Sequence, residues 1–315
     1  MNDPLISICI PTYKNVEYLQ RLLQSITRQT FKDYEIVITD NSPDNSVEEL
    51  AKNFTELSIR YYKNIPPTNM AENFNLVLQK AQGKWTKMMH DDDWFSSSES
   101  LQKFADTALK TSKGFIFSAC TNIYSVSKKK QDEFLVEWKK ELLDDSPLNL
   151  FYLNVIGHPS TVMHKKDDSI LYDPLFKWVV DVDFYIRFLI KYPGYEYLPE
   201  TLINIGADEN QMSNKYYKNP DVEIPEYLQL LAKYPSKLLL QQEYVFFLVW
   251  NLVKRFKIKS VNEIGKFYKG RLPDKIQQII QFQKYIPNII LKQTPWNKWL
   301  MKRCFKKLSV YGLYK

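Results

Sequence analysis

In the N-terminal part of the chain the apolar positions switch repeatedly between strand-like runs and helical stripes. Leu5 to Ile10 is a short apolar run closed by Pro11, and Leu19, Leu22, Leu23 and Ile26 then recur at helical spacing, which predicts strand, turn and helix. Glu35 to Thr39 predicts a second strand ended by DNSPDN, Val47 to Phe54 a helix, and Ser58 to Tyr62 a third strand. Met70, Phe74, Val77, Leu78 and Ala81 make one stripe with Gly83 as its stop, and Trp85 to Met89 predicts a fourth strand. Strands alternating with helices imply right-handed crossovers and a largely parallel sheet with helices on both faces.

From Phe115 the pattern is mixed. FIFSACTNIYSV reads as extended chain, Ser160 to His164 as another short strand, and a helix starts near Asp181. From about Pro225 the chain reads as helical, over 226–233, 236–256, 274–286 and 296–308, with Pro235, Pro273, Pro287 and Pro295 between. The polar, turn-rich segment 208–221 predicts the boundary between an α/β domain, residues 1–215, and a helical extension, residues 216–315.

In open parallel sheets ligands bind at the carboxyl ends of the strands. Those exits here are PTYKN, TDNSPDN and HDDDW, and no G-x-G-x-x-G or G-x-x-x-x-G-K-[ST] occurs, which argues against dinucleotide oxidoreductases and P-loop NTPases. Three adjacent carboxylates, Asp91, Asp92 and Asp93, repel one another unless a cation neutralises them; oxygen-only ligation favours Mg²⁺ or Mn²⁺ shared with a substrate diphosphate. A solvated acidic turn is the alternative. Asp40 and Asn41 can read a base edge or ribose, or simply form a turn. Pro11 and Thr12 can be a plain strand stop, while Tyr13 offers a face for stacking on a base.

In KWVVDVDFYIRFL, either Asp181 or Asp183 could cap the helix that follows. Asp183 stands four residues before Arg187 and can pair with it, which leaves Asp181, flanked by Val180 and Val182, as the better candidate for a general base with a raised pKa. His90, His158 and His164 lack zinc-site spacing. His158 is either a satisfied structural residue or an acceptor-side contact, and Trp178 either core or a platform for a sugar ring. No G-x-S-x-G announces a nucleophile.

Composition narrows the class. The 315 residues are 44% hydrophobic with only 8 Gly and 3 Cys, a folded globular chain in a reducing compartment rather than a disulfide scaffold. There is no basic n-region before the first apolar stretch, and the longest nearly unbroken apolar segment, Tyr244 to Trp250, is far too short to span a bilayer; a cytoplasmic protein is expected. The net charge of +7 divides unevenly, +14 over residues 251–315 against −7 over the rest. No nucleic-acid motif accompanies that charge. Instead PWNKWLMKRCFKKL sets Trp296, Leu300, Cys304 and Leu308 four apart, with Lys298, Lys302, Arg303, Lys306 and Lys307 for a polar side. Residues 295–315 are thus expected either to dock on an anionic membrane surface, at the inner face of the plasma membrane, or to pack on residues 236–256.

Taken in order, SICIPTYKN, EIVITDNSPDN, NMAENFNLVLQKAQGKW, MMHDDDW and KWVVDVDFYIRFL resemble the inverting glycosyltransferases of family 2, with the GT-A fold, over roughly residues 4–207. The resemblance implies a mostly parallel Rossmann-type sheet flanked by helices, with the helical extension appended. It implies that Thr12, Tyr13 and Asp40 bind the nucleoside, with Pro11, Asn41, Asn69, Asp91 and Asp92 completing the donor set, and that the acidic triplet carries the metal-binding D-x-D function, with Asp92 favoured over Asp93 and Asp91. Asp181, second residue of the family's Glu-Asp pair, becomes the catalytic base. The activity implied is metal-assisted transfer from a nucleotide-diphosphate sugar, UDP-sugar foremost, to a hydroxyl of a glycan or lipid-linked glycan in surface-polysaccharide assembly. Three departures stand out: Lys14 where Asn is common, His90 at the usual first Asp, and Val180 where Glu is common. A sugar-phosphate nucleotidyltransferase would want a Gly-rich basic loop after the first strand, which PTYKN lacks; a non-catalytic sugar- or nucleic-acid-binding protein is the reading from another class.

Overall fold

The computed structural model describes residues 3–207, 215–235 and 242–311. The chain forms two compact units. One gathers the residues up to Pro147 with Val155–Phe176 and Val180–Gln211; the other takes Leu148–Asn154, Lys177–Val179 and the residues from Met212 onward. Of the expected boundary segment, residues 208–214 lie outside those described.

The first unit opens with the expected alternation: β1 (Ile6–Thr12), α1 (Val16–Thr27), β2 (Tyr34–Asp40), α2 (Ser46–Lys52), β3 (Ile59–Lys63), α3 (Met70–Lys80) and β4 (Trp85–Met88). β1 pairs in parallel with β2 and β4, and β2 with β3. Every residue of β1 is buried, which is why its sequence is mostly apolar, and its one interior polar residue, Ser7, is satisfied by donating to Glu35 at 2.6 Å. On one face Leu19, Leu22, Leu23 and Ile26 of α1 join a core with Ile6, Ile8, Ile10, Ile36 and Ile38, each such side chain stabilising the fold by about 1.5–3 kcal/mol. Gly83 lets the chain pass close to β1: a Cβ there would lie 2.6 Å from the Ser7 nitrogen.

The rest of the unit is β5 (Trp94–Phe95), α4 (Ser100–Lys110), β6 (Phe115–Tyr124), β7 (Lys130–Glu133), α5 (Glu137–Asp145), β8 (Val162–Lys165), α6 (Val180–Lys191) and β9 (Glu196–Ala207). The sheet order is β3-β2-β1-β4-β8-β6-β9-β5, with β7 beside β6. β8 is antiparallel to both β4 and β6, and starts after a short 3-10 turn over Pro159–Thr161, two residues later than the sequence suggests. β9 carries no clear strand pattern because Pro199 and Glu200 are skipped where its register with β6 shifts between Ser118 and Ala119, a placement that spares the proline a ladder bond.

Two registers build the site. Lys87 faces Met163 across β4 and β8, so the residues leaving β4 meet those entering β8, and the His90 N–H donates to Ser160 Oγ at 2.9 Å. Trp94 faces Asn204 across β5 and β9, which brings Gly206 against the acidic turn.

The second unit is helical: α7 (Pro220–Ala232), α8 (Glu243–Arg255), α9 (Val261–Ile264), α10 (Asp274–Lys284), α11 (Asn288–Lys292) and α12 (Thr294–Tyr311). α7 begins earlier than expected, with Asn219 as its cap accepting from the Asp221 N–H at 3.0 Å, and runs through Pro225, which has no N–H to offer the ladder. The Trp250 indole donates to Asn297 Oδ1 at 2.9 Å, and Gln283 donates to the Trp250 carbonyl at 2.9 Å. That buried polar pair decides how α12 is turned. Asn297, Met301 and Cys304 face inward, while Trp296 and Trp299 are 57% and 50% exposed, so of the four-apart stripe Cys304 is buried, Leu300 and Leu308 are half-buried and Trp296 lies outside the buried face. Among the described residues no helix is long and apolar enough to cross a membrane.

Candidate active site

His90 to Asp93 form a tight turn after β4, closed by the Asp93 N–H donating to the His90 carbonyl at 3.1 Å. The three carboxylates have different surroundings. Asp91 accepts from Thr12 Oγ1 at 2.6 Å, from the Tyr13 N–H at 3.3 Å and from Asn15 Nδ2 at 3.1 Å, tying the β1 exit to the β4 exit. Asp93 accepts from the Gly206 N–H at 3.0 Å and interacts with Ser160. The Asp92 carbonyl is gripped by Arg21 Nη2 at 2.6 Å, and that guanidinium lies 3.7 Å from the centroid of the Trp94 ring.

Electrostatics make this turn expensive to keep ionised. Burial, then Asp92, pushes the Asp91 carboxyl up to about 6 and raises Asp93 well above the ordinary range. Beneath them Lys87 is fully buried; burial lowers its ammonium to about 7, and it donates to the Ser160 carbonyl and sits 5.0 Å from the Phe104 centroid. Burial likewise takes His90 down to about 4, which keeps the imidazole neutral. The donor set fits a divalent cation. Ligand atoms of His90, Asp92 and Asp93 all lie within 4.8 Å of one another, His90 Nε2 is buried without a hydrogen-bond partner, and a cation would favour the carboxylates that burial disfavours.

At the other exits the candidate nucleoside residues are braced by one another. Asp40 is fully buried and accepts from Tyr61 Oη at 2.7 Å, Lys63 Nζ at 2.9 Å and the Ser42 N–H at 2.7 Å. Asn41 accepts from Asn64 Nδ2 at 2.7 Å and donates to the Thr68 carbonyl at 3.0 Å. Asn69 caps α3: its Oδ1 accepts from the Glu72 N–H at 2.9 Å while Glu72 accepts from the Asn69 N–H at 3.2 Å, a structural task that accounts for the residue by itself. Pro11 and Thr12 are buried, whereas Tyr13 is 55% exposed with Lys14 Nζ 5.1 Å from its ring centroid. Lys14 has φ +63°, a left-handed conformation that Asn tolerates better than Lys.

Asp181 lies in the first turn of α6. Its Oδ1 is buried without a hydrogen-bond partner, and burial alone pushes the carboxyl up to about 7. Asp183 instead accepts from Arg187 Nε at 2.9 Å and Nη2 at 2.7 Å, the pairing its spacing suggests. A row of rings connects the acidic turn with α6: His90 to Phe74 at 5.1 Å, Phe74 to Tyr172 at 5.3 Å, and Tyr172 stacked on Phe184 at 4.3 Å. The hydroxyls of Tyr172 and Tyr185 are raised by burial first and by Asp181 second. His158 is half-buried, lowered by burial, and feels Glu133 and Asp92. Trp178 belongs to the second unit, where its ring lies 6.3 Å from Tyr217 and its N–H, with those of Lys177 and Val179, donates to Glu226.

The glycosyl transferase family 2 model matches residues 7–167, about half of the chain, and so spans the exits of β1, β2 and β4. The chain belongs to glycosyl transferase family 2. This glycosyltransferase is 28% identical over 202 residues to MT1568 of Mycobacterium tuberculosis, 60% of this chain and 63% of that one, so the match leaves over a third of that relative uncovered. It is 26% identical over 201 residues, 61% of this chain and 68% of the other, to the putative colanic acid biosynthesis glycosyl transferase WcaA of Escherichia coli. Its fold is shared by S. aureus TarS, solved with UDP-GlcNAc (TM-score 0.60, 15% identity, 96% and 88% coverage), and by the Pyrobaculum calidifontis mannosyltransferase PcManGT, solved with GDP-Man and Mn²⁺ (TM-score 0.58, 13% identity, 100% and 88% coverage).

The acidic turn is also held by residues that the sequence did not single out. Arg21, Asn15, Gly206, Ser160 and Lys87 all brace the acidic turn. Only Lys87 carried a signal, as a lysine within a short strand ahead of Met88 and Met89; the others reach the turn through pairings distant in sequence.

Proposed function

We propose that this enzyme is an inverting glycosyltransferase that moves a sugar from a nucleoside-diphosphate sugar, UDP-sugar foremost, to a hydroxyl of a glycan or lipid-linked glycan in surface-polysaccharide assembly. The observation that carries the reading is Asp181, whose buried, unpartnered Oδ1 and carboxyl held near pH 7 suit a general base. In a single in-line displacement the acceptor oxygen forms a bond to the anomeric carbon, the bond from that carbon to the diphosphate breaks, and Asp181 takes the acceptor proton. Asp92 and Asp93 would hold a divalent cation, Mn²⁺ or Mg²⁺, which when bound would supply positive charge to the diphosphate. Asp91 holds Thr12, Tyr13 and Asn15 in place, and exposed Tyr13 offers its ring to the base. Pro11, Asp40, Asn41 and Asn69 shape the donor side, with His158 and Trp178 as acceptor-side residues. Catalysis is assigned to residues 1–215, to which residues 216–315 add a basic helical extension. A screen of UDP-, GDP- and dTDP-sugars for metal-dependent thermal stabilisation and hydrolysis tests this; no response to any of them would reject it.

A second observation favours docking of a cytoplasmic protein on the inner face of the plasma membrane. On α12, Trp296, Trp299, Lys302, Arg303, Lys306 and Lys307 are exposed while Asn297, Met301 and Cys304 are buried, and Arg303 lies 5.2 Å from the Trp299 centroid. Aromatic and basic side chains on one face suit an anionic headgroup layer, each basic residue adding roughly 1 kcal/mol. Co-sedimentation with anionic but not neutral liposomes, weakened by salt and lost without residues 295–315, is expected; full-length protein left in the supernatant at low salt would end the idea.

A further inference from the structure

The acidic turn offers a cation a different set of ligands from the one its three aspartates suggest. Asp91 already accepts from Thr12, Tyr13 and Asn15, and the third group that converges with Asp92 and Asp93 is the imidazole of His90. His90 Nε2 is enclosed without a hydrogen-bond partner. The ring lies 5.1 Å from that of Phe74, and the residue's backbone N–H donates to Ser160 Oγ at 2.9 Å, which fixes the main chain from which it projects. A buried nitrogen acceptor in that position lacks a partner until something binds.

We propose that His90 is a nitrogen ligand of the catalytic cation and that it makes the site select Mn²⁺, and later first-row ions, over Mg²⁺. This rests on the reading of a metal-assisted transferase and names the ion that reading leaves open. Mg²⁺ prefers oxygen donors and near-ideal octahedral geometry, whereas imidazole raises affinity for transition ions in the order of their acceptance of nitrogen ligands. A site of two carboxylates and one imidazole therefore discriminates where a site of three carboxylates does not.

Metal-stripped full-length protein is titrated with Mn²⁺ by electron paramagnetic resonance, alone and with excess UDP, and Mg²⁺ is added as competitor. Wild type should hold Mn²⁺ against a large excess of Mg²⁺, and its spin-echo spectrum should show ¹⁴N modulation from a coordinated imidazole. His90→Asp should lose that modulation and narrow the Mn²⁺/Mg²⁺ preference by about tenfold or more. His90→Gln, compact and uncharged, should lose the modulation too and serves if the aspartate variant does not fold, as judged by circular dichroism. His158→Gln should keep it. Mn²⁺ bound without nitrogen modulation, or a preference unchanged in the variants, overturns the inference and leaves the metal-assisted reading standing. Neither ion binding, even with UDP, overturns both.

Discussion

Replacing Asp181 with asparagine should make the enzyme slower and more stable at once. Burial raises the Asp181 carboxyl from an ordinary 3.8 to about 7. Between those values the folded chain holds a proton that the unfolded chain has released, so the native state loses stability as pH rises from about 4 to about 7 and stays penalised above. At 1.36 kcal/mol per pKa unit the ceiling is about 4 kcal/mol. Asp181 is partly exposed, so water and local relaxation reduce this, and about 2 kcal/mol is expected at pH 8 against about 0.5 kcal/mol at pH 4.5. Asparagine is nearly isosteric and carries no charge. The variant should therefore melt about 4–8 °C higher than wild type at pH 8 and almost with it at pH 4.5. Its turnover should fall by at least ~10², with donor affinity little changed, because the base acts on the acceptor in the transition state. Wild-type kcat/KM should lose activity on the acid side of about pH 7, as the base becomes protonated. Paired melts and pH–rate profiles decide it: a melting difference independent of pH, a destabilised variant, or retained turnover would each refute the argument.

Asp92→Ala and Asp93→Ala should abolish metal-dependent nucleotide-sugar turnover while leaving circular dichroism native; unchanged wild-type turnover in excess chelator would contradict this. Gly206→Ala puts a Cβ 2.4 Å from the Asp92 carbonyl oxygen and 3.2 Å from Arg21 Nη2, so the acidic turn must move; stability should drop by about 1–3 kcal/mol and turnover at least tenfold, whereas wild-type kinetics would show that the turn yields at no loss. Lys14→Gly relieves the left-handed φ of +63° and should raise the urea midpoint by an amount worth about 1 kcal/mol; a lowered midpoint would mean that the lysine side chain earns its strained backbone.

The local pattern of this sequence determined the β1–β4 half of the sheet and the family. Buried parallel strands are short and rich in apolar residues, amphipathic helices repeat at helical spacing, and both signals are short-range. The same proximity made Asp183 legible, because Arg187 lies one turn away. Tertiary structure decided the rest. The three adjacent aspartates differ only because their partners arrive from three different places: β1 for Asp91, α1 for the Asp92 carbonyl, β9 for Asp93. β9 itself left no pattern, since a register shift around Pro199 breaks the alternation. On α12 the spacing of apolar residues put Trp296 in line with Cys304, but the buried bond between Trp250 and Asn297 sets the start of the helix so that Trp296 is exposed while Cys304 is buried. Spacing along a chain states which residues can share a face; which face is buried depends on polar groups that must find partners elsewhere in the fold.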